Sequence, residues 1–299
     1  MDQVLTAPRD GSRMLIGAHV SVSKGYGAAL DYAQDVGCEC IQLFAKSPRQ
    51  WKGAALDSDA AQAFVADRAA RGFGPVFTHT AYLINLTTDD PIMREKSVVA
   101  LADELRRGAA LGVDGVVTHL GTDPKADPVV AAVRCGKAIT EAYELAAVSP
   151  DRARLLLENT AGAGSTFGGS VRELASVIAA TELPPEVIGI CFDTCHGFAF
   201  GDDLSTSVGW VELVSEMREV LGLDRVGLIH ANDCMFDRGS HRDRHAWIGD
   251  GSIGTEGFRA MICEPDLAQV PVVTEMPGEV PEKDATNIAR LKALRVACS

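Results

Sequence analysis

The sequence lacks any long apolar run. No stretch approaches the roughly 20 apolar residues that a membrane helix needs. Its first residues, MDQVLTAPRDGSRMLIG, also lack the apolar segment and the small-residue cleavage site of a secretory signal. We therefore expect a cytoplasmic protein with no membrane association. Residues 1–13 are expected to be a disordered extension, and residues 14–299 to form one folded domain.

Paired cysteine motifs are also missing. The chain has eight cysteines, but they are scattered and none forms a CxxC pair. Structural zinc sites usually take their thiolates from such pairs. The spacing therefore predicts free, mostly buried thiols rather than a thiolate zinc site.

Positive charge is scarce. The chain has 28 Lys and Arg against 41 Asp and Glu, a formal net charge of −13. Because Lys and Arg dominate phosphate binding, this balance argues against a nucleic-acid partner. Bound divalent cations would add positive charge, however, and carboxylates on a distant face are screened within about 10 Å. A local basic rim would therefore be enough to bind DNA.

A glycine-rich phosphate loop is absent as well. After the first apolar run the chain reads GAHVSVSKGYG, which fits neither GxGxxG nor the P-loop pattern. A doubly wound open sheet normally carries such a loop at this point. Its absence disfavours the open sheet as the fold.

Eight short apolar runs are present, and longer amphipathic stretches separate them. The runs span 14–20, 40–44, 75–80, 115–120, 154–160, 187–196, 226–233 and 270–277, and helical stretches include 60–72, 92–112 and 129–147. Eight alternating units predict an α/β fold, a single (β/α)8 TIM barrel with its active site at the C-terminal ends of the strands. The long polar loop at 236–255 is expected to be functional.

Imidazole and carboxylate groups recur where the predicted strands end. A single such His or Asp usually has a structural role, as a hydrogen-bonded side chain or a helix cap. Burying many together costs several kcal/mol per charge unless the groups are paired or bind metal. Metal binding fits the set best, and its members are His79, His119, Glu158, Asp193, His196, His230 and Glu275, with Asp243 and His245 from the long loop.

The donor types indicate which metal is bound. Imidazole and carboxylate without thiolate suit zinc, manganese or iron, and five histidines favour zinc. Nine donors are too many for one tetrahedral ion and suit two or three ions that share a bridging carboxylate. Cys195 lies between two of the donors but is expected to point into the packing.

Longer motifs make the sequence recognisable. GAHVS, THTAYLINL, THLG, LENTAG, DTCHGFAFG, HANDC, DRHAWIGDGSIG and TEMPG follow one another over nearly the whole chain. Together they closely resemble endonuclease IV, the family of zinc-dependent apurinic/apyrimidinic endonucleases. The resemblance implies a TIM barrel with three zinc ions, with manganese as an alternative at one or more sites.

The resemblance also implies how the ligands divide. His79 and His119 match the ligands of one ion, and Glu158 matches the bridge to a second. The other ligands of the second ion are Asp193, His230 and Glu275, and those of the third are His196, Asp243 and His245.

The activity implied is hydrolysis of the phosphodiester 5′ to an abasic site in double-stranded DNA. The products would be a 3′-hydroxyl and a 5′-deoxyribose phosphate, as in base excision repair. We expect a monomer without an obligate protein partner. Glu158 matches the catalytic carboxylate, and Arg49, Tyr82 and Leu83 match residues that insert into damaged DNA. From the residues alone, Tyr82, Leu83 and Trp51 are better read as hydrophobic anchors of their loops. Candidates for a phosphate-facing rim are Lys46, Arg49, Lys52, Arg238, Arg242 and Arg244.

The chain departs from the family pattern in three places. It has Thr80-Ala81 where an Asp-Ser pair is frequent, Leu120 where Pro is common, and Ser47-Pro48 where Asn and another residue are expected. These positions adjoin His79, His119 and the second loop, so they bear on the support of two metal ligands and on contacts to the DNA strand.

Two other functions fit the same architecture. A metal-dependent sugar isomerase or epimerase of the xylose-isomerase-like barrels also uses His, Glu and Asp on its strands, and an acidic chain would suit it. Such isomerases need one or two ions, so the additional set of His196, Asp243 and His245 favours the nuclease. A catalytically silent protein that binds damaged DNA is disfavoured by the complete ligand set.

Overall fold

The strands and helices alternate as predicted. The computed structural model describes residues 13–298 except 124, 150, 151, 153, 182 and 277–279, so nearly all of the expected N-terminal extension lies outside the described residues. The strands are β1 (Ile16–His19), β2 (Ile41–Phe44), β3 (Val76–His79), β4 (Gly115–Thr118), β5 (Leu155–Glu158), β6 (Ile188–Asp193), β7 (Val226–His230), β8 (Asp233–Cys234), β9 (His245–Ala246) and β10 (Val272–Thr274).

Several of the helices begin after a short polar residue that caps them. They are α1 (Tyr26–Asp35), α2 (Ser58–Ala70), α3 (Pro91–Leu111), α4 (Pro128–Ala146), α5 (Val171–Thr181), α6 (Thr194–Phe200), α7 (Ser207–Val220), α8 (Gly254–Cys263) and α9 (Pro281–Ala297). Asp90 and Asp127 each accept two backbone N–H bonds at the start of α3 and α4, and proline follows each of them. This order satisfies free N–H groups and leaves proline where no donor is needed.

Eight parallel strands close into a barrel, as the alternation predicted. Their order around the barrel is β1, β10, β7, β6, β5, β4, β3 and β2, so β1 pairs with both β2 and β10. Parallel strands all point the same way, and their C-terminal ends therefore meet at one rim.

The barrel interior is apolar below that rim. Seven buried side chains, with Leu15 beside them, form a cluster separate from the main core: Cys40, Phe77, Val117, Leu156, Cys191, Leu228 and Val273. Side chains on a strand alternate between its two faces, so the residue two positions further along also points inward. That next inward layer consists of Gln42, His79, His119, Glu158, Asp193, His230 and Glu275.

The loop after β7 folds back onto the rim. Its strands β8 and β9 pair antiparallel, with Cys234 opposite His245. The buried carboxylate of Asp233 accepts backbone N–H bonds from Gly249, Gly251 and Ile253 at 2.9 to 3.0 Å. This bonding fixes the far side of the loop and so positions His245 beside the barrel.

The prediction that all cysteines are free thiols is wrong for one pair. Cys263, at the end of α8, and Cys298, just after α9, form a disulfide. The two helices are neighbours although 35 residues separate the cysteines, which spacing alone could not reveal. The other cysteines are free and buried, as expected. Within the described residues, no helix has both the length and the apolar character that crossing a bilayer demands.

Candidate metal centre

The nine predicted donors meet at the C-terminal rim of the barrel. Most are buried, and their nitrogen and oxygen atoms fall into groups whose members all lie within 4.8 Å of one another. Three groups use only these nine residues: His79, His119 and Glu158; Glu158, Asp193, His230 and Glu275; and His196, Asp243 and His245. These are the sets that the resemblance implied for three ions.

Glu158 belongs to two of the groups and lies at their centre. Its Oε2 is 2.9 Å from Nε2 of His79 and 3.4 Å from Nε2 of His119. Its Oε1 is 2.9 Å from Nδ1 of His230 and 3.6 Å from Nδ1 of His196. A buried carboxylate shared between two donor groups has the arrangement that a bridging ligand needs.

Asp193 caps a helix and also faces the donors. Its Oδ1 accepts the backbone N–H of His196 at 2.8 Å and so caps α6. Its Oδ2 accepts from the side-chain amide of Asn232 at 2.6 Å and lies 3.8 Å from Nε2 of His245. Asp193 therefore acts as a helix cap, the usual role of a single Asp at such a position, and it also belongs to the donor cluster. His196 lies in the first turn of α6 rather than on the strand, which the predicted run at 187–196 had included.

The third group is formed largely outside the strands. Asp243 places Oδ2 3.3 Å from Nε2 of His196 and Oδ1 3.3 Å from Nε2 of His245. Its side chain is 53% exposed, whereas the side chains of Asp193 and Glu158 are almost fully buried. The third group is therefore the most accessible of the three to a substrate.

Four histidine rings each donate one proton away from the cluster. His79, His196 and His245 donate Nδ1–H to the carbonyl oxygens of Thr80, Asn159 and Glu275 at 2.8 to 2.9 Å. Carbonyl oxygens only accept, so Nδ1 carries the proton and the other ring nitrogen, Nε2, is directed at carboxylates. His230 has the reverse arrangement, with Nε2 bonded to the amide oxygen of Gln42.

This arrangement fits divalent cations. In histidines that bind metals, the non-ligating N–H usually donates to a carbonyl or carboxylate, which fixes the tautomer. Nε2 of His245 is buried and has no hydrogen-bond partner among the described residues. A buried nitrogen without a partner, facing carboxylates at 3.3 and 3.8 Å, can be satisfied by a cation.

The shifted pKa values of the donor side chains also fit the binding of cations. Burial lowers the pKa of His196, but Asp193 and Asp243 outweigh it and raise that pKa to about 10. Burial raises the pKa of Glu158, yet His119 and His230 hold it well below its ordinary value. For His119 burial dominates and lowers the pKa to about 4. The cluster thus attracts positive charge, which either protons or divalent cations can supply.

Three polar residues beside the nine donors, two of them buried and one partly buried, were missed from the sequence. Gln42, at 0% exposure, bonds to both His230 and Glu275, and His19 lies 3.8 Å from Glu275. Both lie in the same inward layer as the strand donors, because each lies two positions beyond an inward residue. Asn232 also went unnoticed, although its amide bonds to both Asp193 and Glu275.

The residues predicted to insert into DNA lie on two neighbouring loops. Tyr82 is 59% exposed, and its ring centroid lies 5.6 Å from that of His79 and 6.4 Å from that of His119. Its backbone N–H donates to Pro48 at 3.1 Å, which joins the loop after β3 to the loop that carries the exposed Arg49. Leu83 is partly exposed beside it. Trp51 packs against the core, which agrees with its interpretation as a loop anchor.

Lys46 is not part of a phosphate-facing rim, and the prediction that placed it there is wrong. Its side chain is 2% exposed, and Nζ lies 2.9 Å from Asp103 and 3.5 Å from Glu104 of α3. Nζ also donates to the carbonyl of Trp51 at 3.4 Å. Ion pairs with two carboxylates of α3 replace the hydration of this ammonium group. Lys46 therefore holds the loop after β2 against the helix.

The other basic candidates remain at the surface. Arg49, Lys52, Arg242 and Arg244 are exposed. Arg238 pairs with Asp203 at 3.3 Å, and the guanidinium of Arg242 lies 3.5 Å from the ring centre of Phe236. A hollow of about 570 Å³ opens beside His245, with Met235, Trp247 and Ser252 among its walls.

One departure from the family pattern leaves His79 supported. The proton on Nδ1 of His79 goes to the backbone carbonyl of Thr80, which any residue at that position supplies. The side chain of Thr80 bonds instead to the hydroxyl of Thr118 at 2.8 Å.

Comparison with known proteins identifies the kind of molecule. Residues 30–294 match the family described as the xylose isomerase-like TIM barrel. A probable endonuclease 4 of Methanoculleus marisnigri is 41% identical over 281 residues, covering 94% of this chain and 99% of the relative. The crystal structure of endonuclease IV from Thermus thermophilus has a TM-score of 0.83 and 36% identity, covering 95% of this chain and 99% of that one. A xylose isomerase domain protein from Planctomyces limnophilus, at 18% identity and TM-score 0.65 over 96% of this chain and 97% of that one, shares the fold.

Proposed function

This chain belongs to the endonuclease IV family of xylose isomerase-like TIM barrels, and we propose that it is a zinc-dependent endonuclease of DNA repair. The proposed reaction is hydrolysis of the phosphodiester 5′ to an abasic site, which leaves a 3′-hydroxyl and a 5′-deoxyribose phosphate. The observation that carries the proposal is the cluster of nine donors in three neighbouring groups. We propose zinc as the metal because imidazole and carboxylate donors suit it.

The nine side chains divide the work of holding three ions. His79 and His119 would hold the first, with Glu158 shared between it and the second. Asp193, His230 and Glu275 would complete the second, and His196, Asp243 and His245 would hold the third. When bound, divalent cations supply positive charge for the scissile phosphate and acidify water enough for attack on phosphorus near neutral pH.

Glu158 is the candidate to orient the attacking water. Its two oxygens reach nitrogen atoms of four histidines, so a water near the junction of the first two groups lies within reach of its carboxylate. Asp243 lies at the exposed edge of the site, where the phosphate would enter. The carboxylate cluster itself repels an anionic substrate, which agrees with a site that works only when cations fill it.

The loops beside the site supply the contacts to DNA in this proposal. The exposed ring of Tyr82 lies beside the rings of His79 and His119. In this position it can stack on a base or fill the gap at a missing base. Arg49 lies on the adjacent loop, so both side chains would approach the same stretch of duplex. This local basic and aromatic surface would offset the formal charge of −13.

The sugar isomerase remains the second candidate because the barrel and its second donor group would suit it equally well. What favours the nuclease is the third group, in which His196 of α6, Asp243 and the first residue of β9, His245, join the donors at the strand ends. The similarity to barrels named as sugar isomerases is below 20% identity and shows the fold alone.

The test is incision of a duplex oligonucleotide that carries one abasic-site analogue. Zinc-loaded protein should cut once, on the 5′ side, and mass spectrometry should find a 3′-hydroxyl and a 5′-deoxyribose phosphate. Chelator treatment should abolish the cut, and Zn²⁺ should restore it. Adding Mn²⁺ to a parallel sample would test whether manganese substitutes.

An intact duplex of the same sequence is the control for specificity. If fully metal-loaded protein leaves the abasic strand whole but interconverts a ketose and its epimer, the isomerase is the correct function. If the protein retains the abasic duplex without cutting and binds no metal, it is a silent binding protein.

A further inference from the structure

Gln42 is the one amide in the inward layer that holds the strand donors, and it is not among the nine predicted ligands. It lies on β2, and its side chain is fully buried. A buried amide costs free energy unless both its donors and its acceptor are satisfied. Its partners therefore reveal what holds it there.

The amide bonds to three residues on three different elements. Nε2 lies 2.7 Å from Oε1 of Glu275, which follows β10, and 3.0 Å from Nδ1 of His19 on β1. Oε1 lies 2.8 Å from Nε2 of His230 on β7. One side chain thus connects two of the four donors in the second group.

Chemistry fixes which end of the amide is which. A carboxylate oxygen accepts and does not donate, so the group that faces Glu275 must be the NH₂. The group that faces His230 is then the carbonyl oxygen, which can only accept. Nε2 of His230 must carry a proton, and in the neutral ring the lone pair lies on Nδ1.

Nδ1 of His230 points into the donor group. It lies 2.9 Å from Oε1 of Glu158, 3.3 Å from Oε2 of Glu275 and 3.9 Å from Oδ2 of Asp193. A lone pair surrounded by three carboxylates suits a divalent cation placed among them.

We infer that Gln42 is a positioning residue of the second metal site, where it selects the tautomer of His230 and holds the carboxylate of Glu275. Its carbonyl oxygen keeps the proton of His230 on Nε2, which frees Nδ1 for the ion. Its NH₂ holds Oε1 of Glu275 and leaves Oε2, 3.3 Å from His230 Nδ1, directed at the same place. His19 accepts the second amide proton and completes the network.

Gln42→Met tests this role because it keeps the length of the side chain and removes all three hydrogen bonds. Apo protein is titrated with Zn²⁺ against a chromophoric chelator, which reports each binding step. One step should weaken about 10-fold to 100-fold, as for other residues that support metal ligands. The matched control is Thr181→Val, which alters buried hydrogen bonds at the end of α5, outside the donor cluster. It should leave every step unchanged.

An unchanged zinc affinity in Gln42→Met would overturn the inference, even if the variant melts at a lower temperature. A crystal structure of the zinc-loaded natural protein tests it without any substitution. Anomalous density beside Nδ1 of His230 supports the inference, whereas density beside Nε2, or no zinc in this group, overturns it. The inference depends on the proposed metal site but not on DNA cutting. If zinc affinity falls in Gln42→Met but the natural protein cuts no DNA, only the proposed function is refuted.

Discussion

The metal centre and the loops beside it are both built from charged and aromatic side chains, but they are held in opposite ways. At the centre most of the functional groups are buried, Asp243 being the exposed exception, and hydrogen bonds to backbone carbonyls, amides and one another hold most of them in place. On the loops the candidate DNA contacts Arg49 and Tyr82 are exposed, and the charges that hold the loops are buried behind them.

The support for the loops comes from α3. Lys46 pairs there with Asp103 and Glu104, and Arg107 donates to Asp103 at 2.9 Å and to the carbonyl of Ala54 at 2.6 Å. Glu104 also accepts the backbone N–H of Ala81, at the start of the loop after β3. This ion cluster, buried except for the partly exposed Asp103, therefore fixes both loops relative to each other.

Because the two regions are held differently, substitutions in them should have different consequences. In the proposed function, substitution in the centre removes a group that acts on the substrate, so it should lower the rate of the chemical step. Substitution in the loops should change the binding of DNA or the free energy of unfolding and leave that step nearly intact.

The largest effect is expected for Glu158→Gln. This change keeps the shape of the side chain but removes the charge that four histidines face. The rate of incision at saturating DNA should fall roughly a hundredfold or more. Mutation of a residue that only supports a metal ligand already lowers metal affinity or activity about 10-fold to 100-fold. Glu141→Gln, at an exposed carboxylate of α4, is the control and should cut normally. Near-normal cutting by Glu158→Gln with its metals bound would refute the assigned role.

The next effect is expected for Lys46→Met, in the free energy of unfolding. Removing the lysine leaves Glu104 buried, with Oε2 already lacking a hydrogen-bond partner among the described residues. Breaking a buried ion pair in this way costs about 3 to 5 kcal/mol, which urea denaturation measures. Lys52→Met, at an exposed lysine of the same loop, should change the free energy by less than about 0.5 kcal/mol. Equal stability of the two variants would show that the cluster does not hold the loop.

A smaller effect is expected for Tyr82→Ala, in the KM for abasic DNA. Loss of a stacking ring weakens binding to a base by about 1 to 3 kcal/mol, so KM should rise by a factor between about 5 and about 150 while kcat stays near its original value. Tyr82→Phe keeps the ring and should behave like the natural protein. If kcat falls instead of KM rising, Tyr82 belongs functionally to the centre, and the contrast between the two regions fails.

Much of the centre was predictable because it follows a simple periodicity. Once a strand is located, its inward side chains recur every second residue, and parallel strands bring their last inward residues to one rim. This reasoning identified His79, Glu158 and His230. Applied to the first two strands it also selects His19 and Gln42. Gln42 was overlooked because a side-chain amide is not among the usual zinc ligands.

The loops were less predictable because their side chains are positioned by distant contacts. Lys46 was assigned to the surface from its charge, but the pairing with Asp103 and Glu104 spans more than 50 residues of sequence. The disulfide between Cys263 and Cys298 likewise depends on how two helices pack. Tertiary proximity of this kind leaves no periodic signal along the chain.

The smallest effect is expected for Thr80→Val, at the position where the chain departs from the family pattern. The hydroxyl of Thr80 bonds to Thr118, but the proton of His79 goes to the backbone carbonyl of Thr80, which valine retains. The free energy of unfolding should fall by about 1 kcal/mol, the usual value of one hydrogen bond. The incision rate and zinc affinity should stay within about twofold, because the support of His79 is backbone-derived. A tenfold loss of zinc affinity would mean that the side chain at position 80 positions His79, and the departure from Asp would then be functionally important.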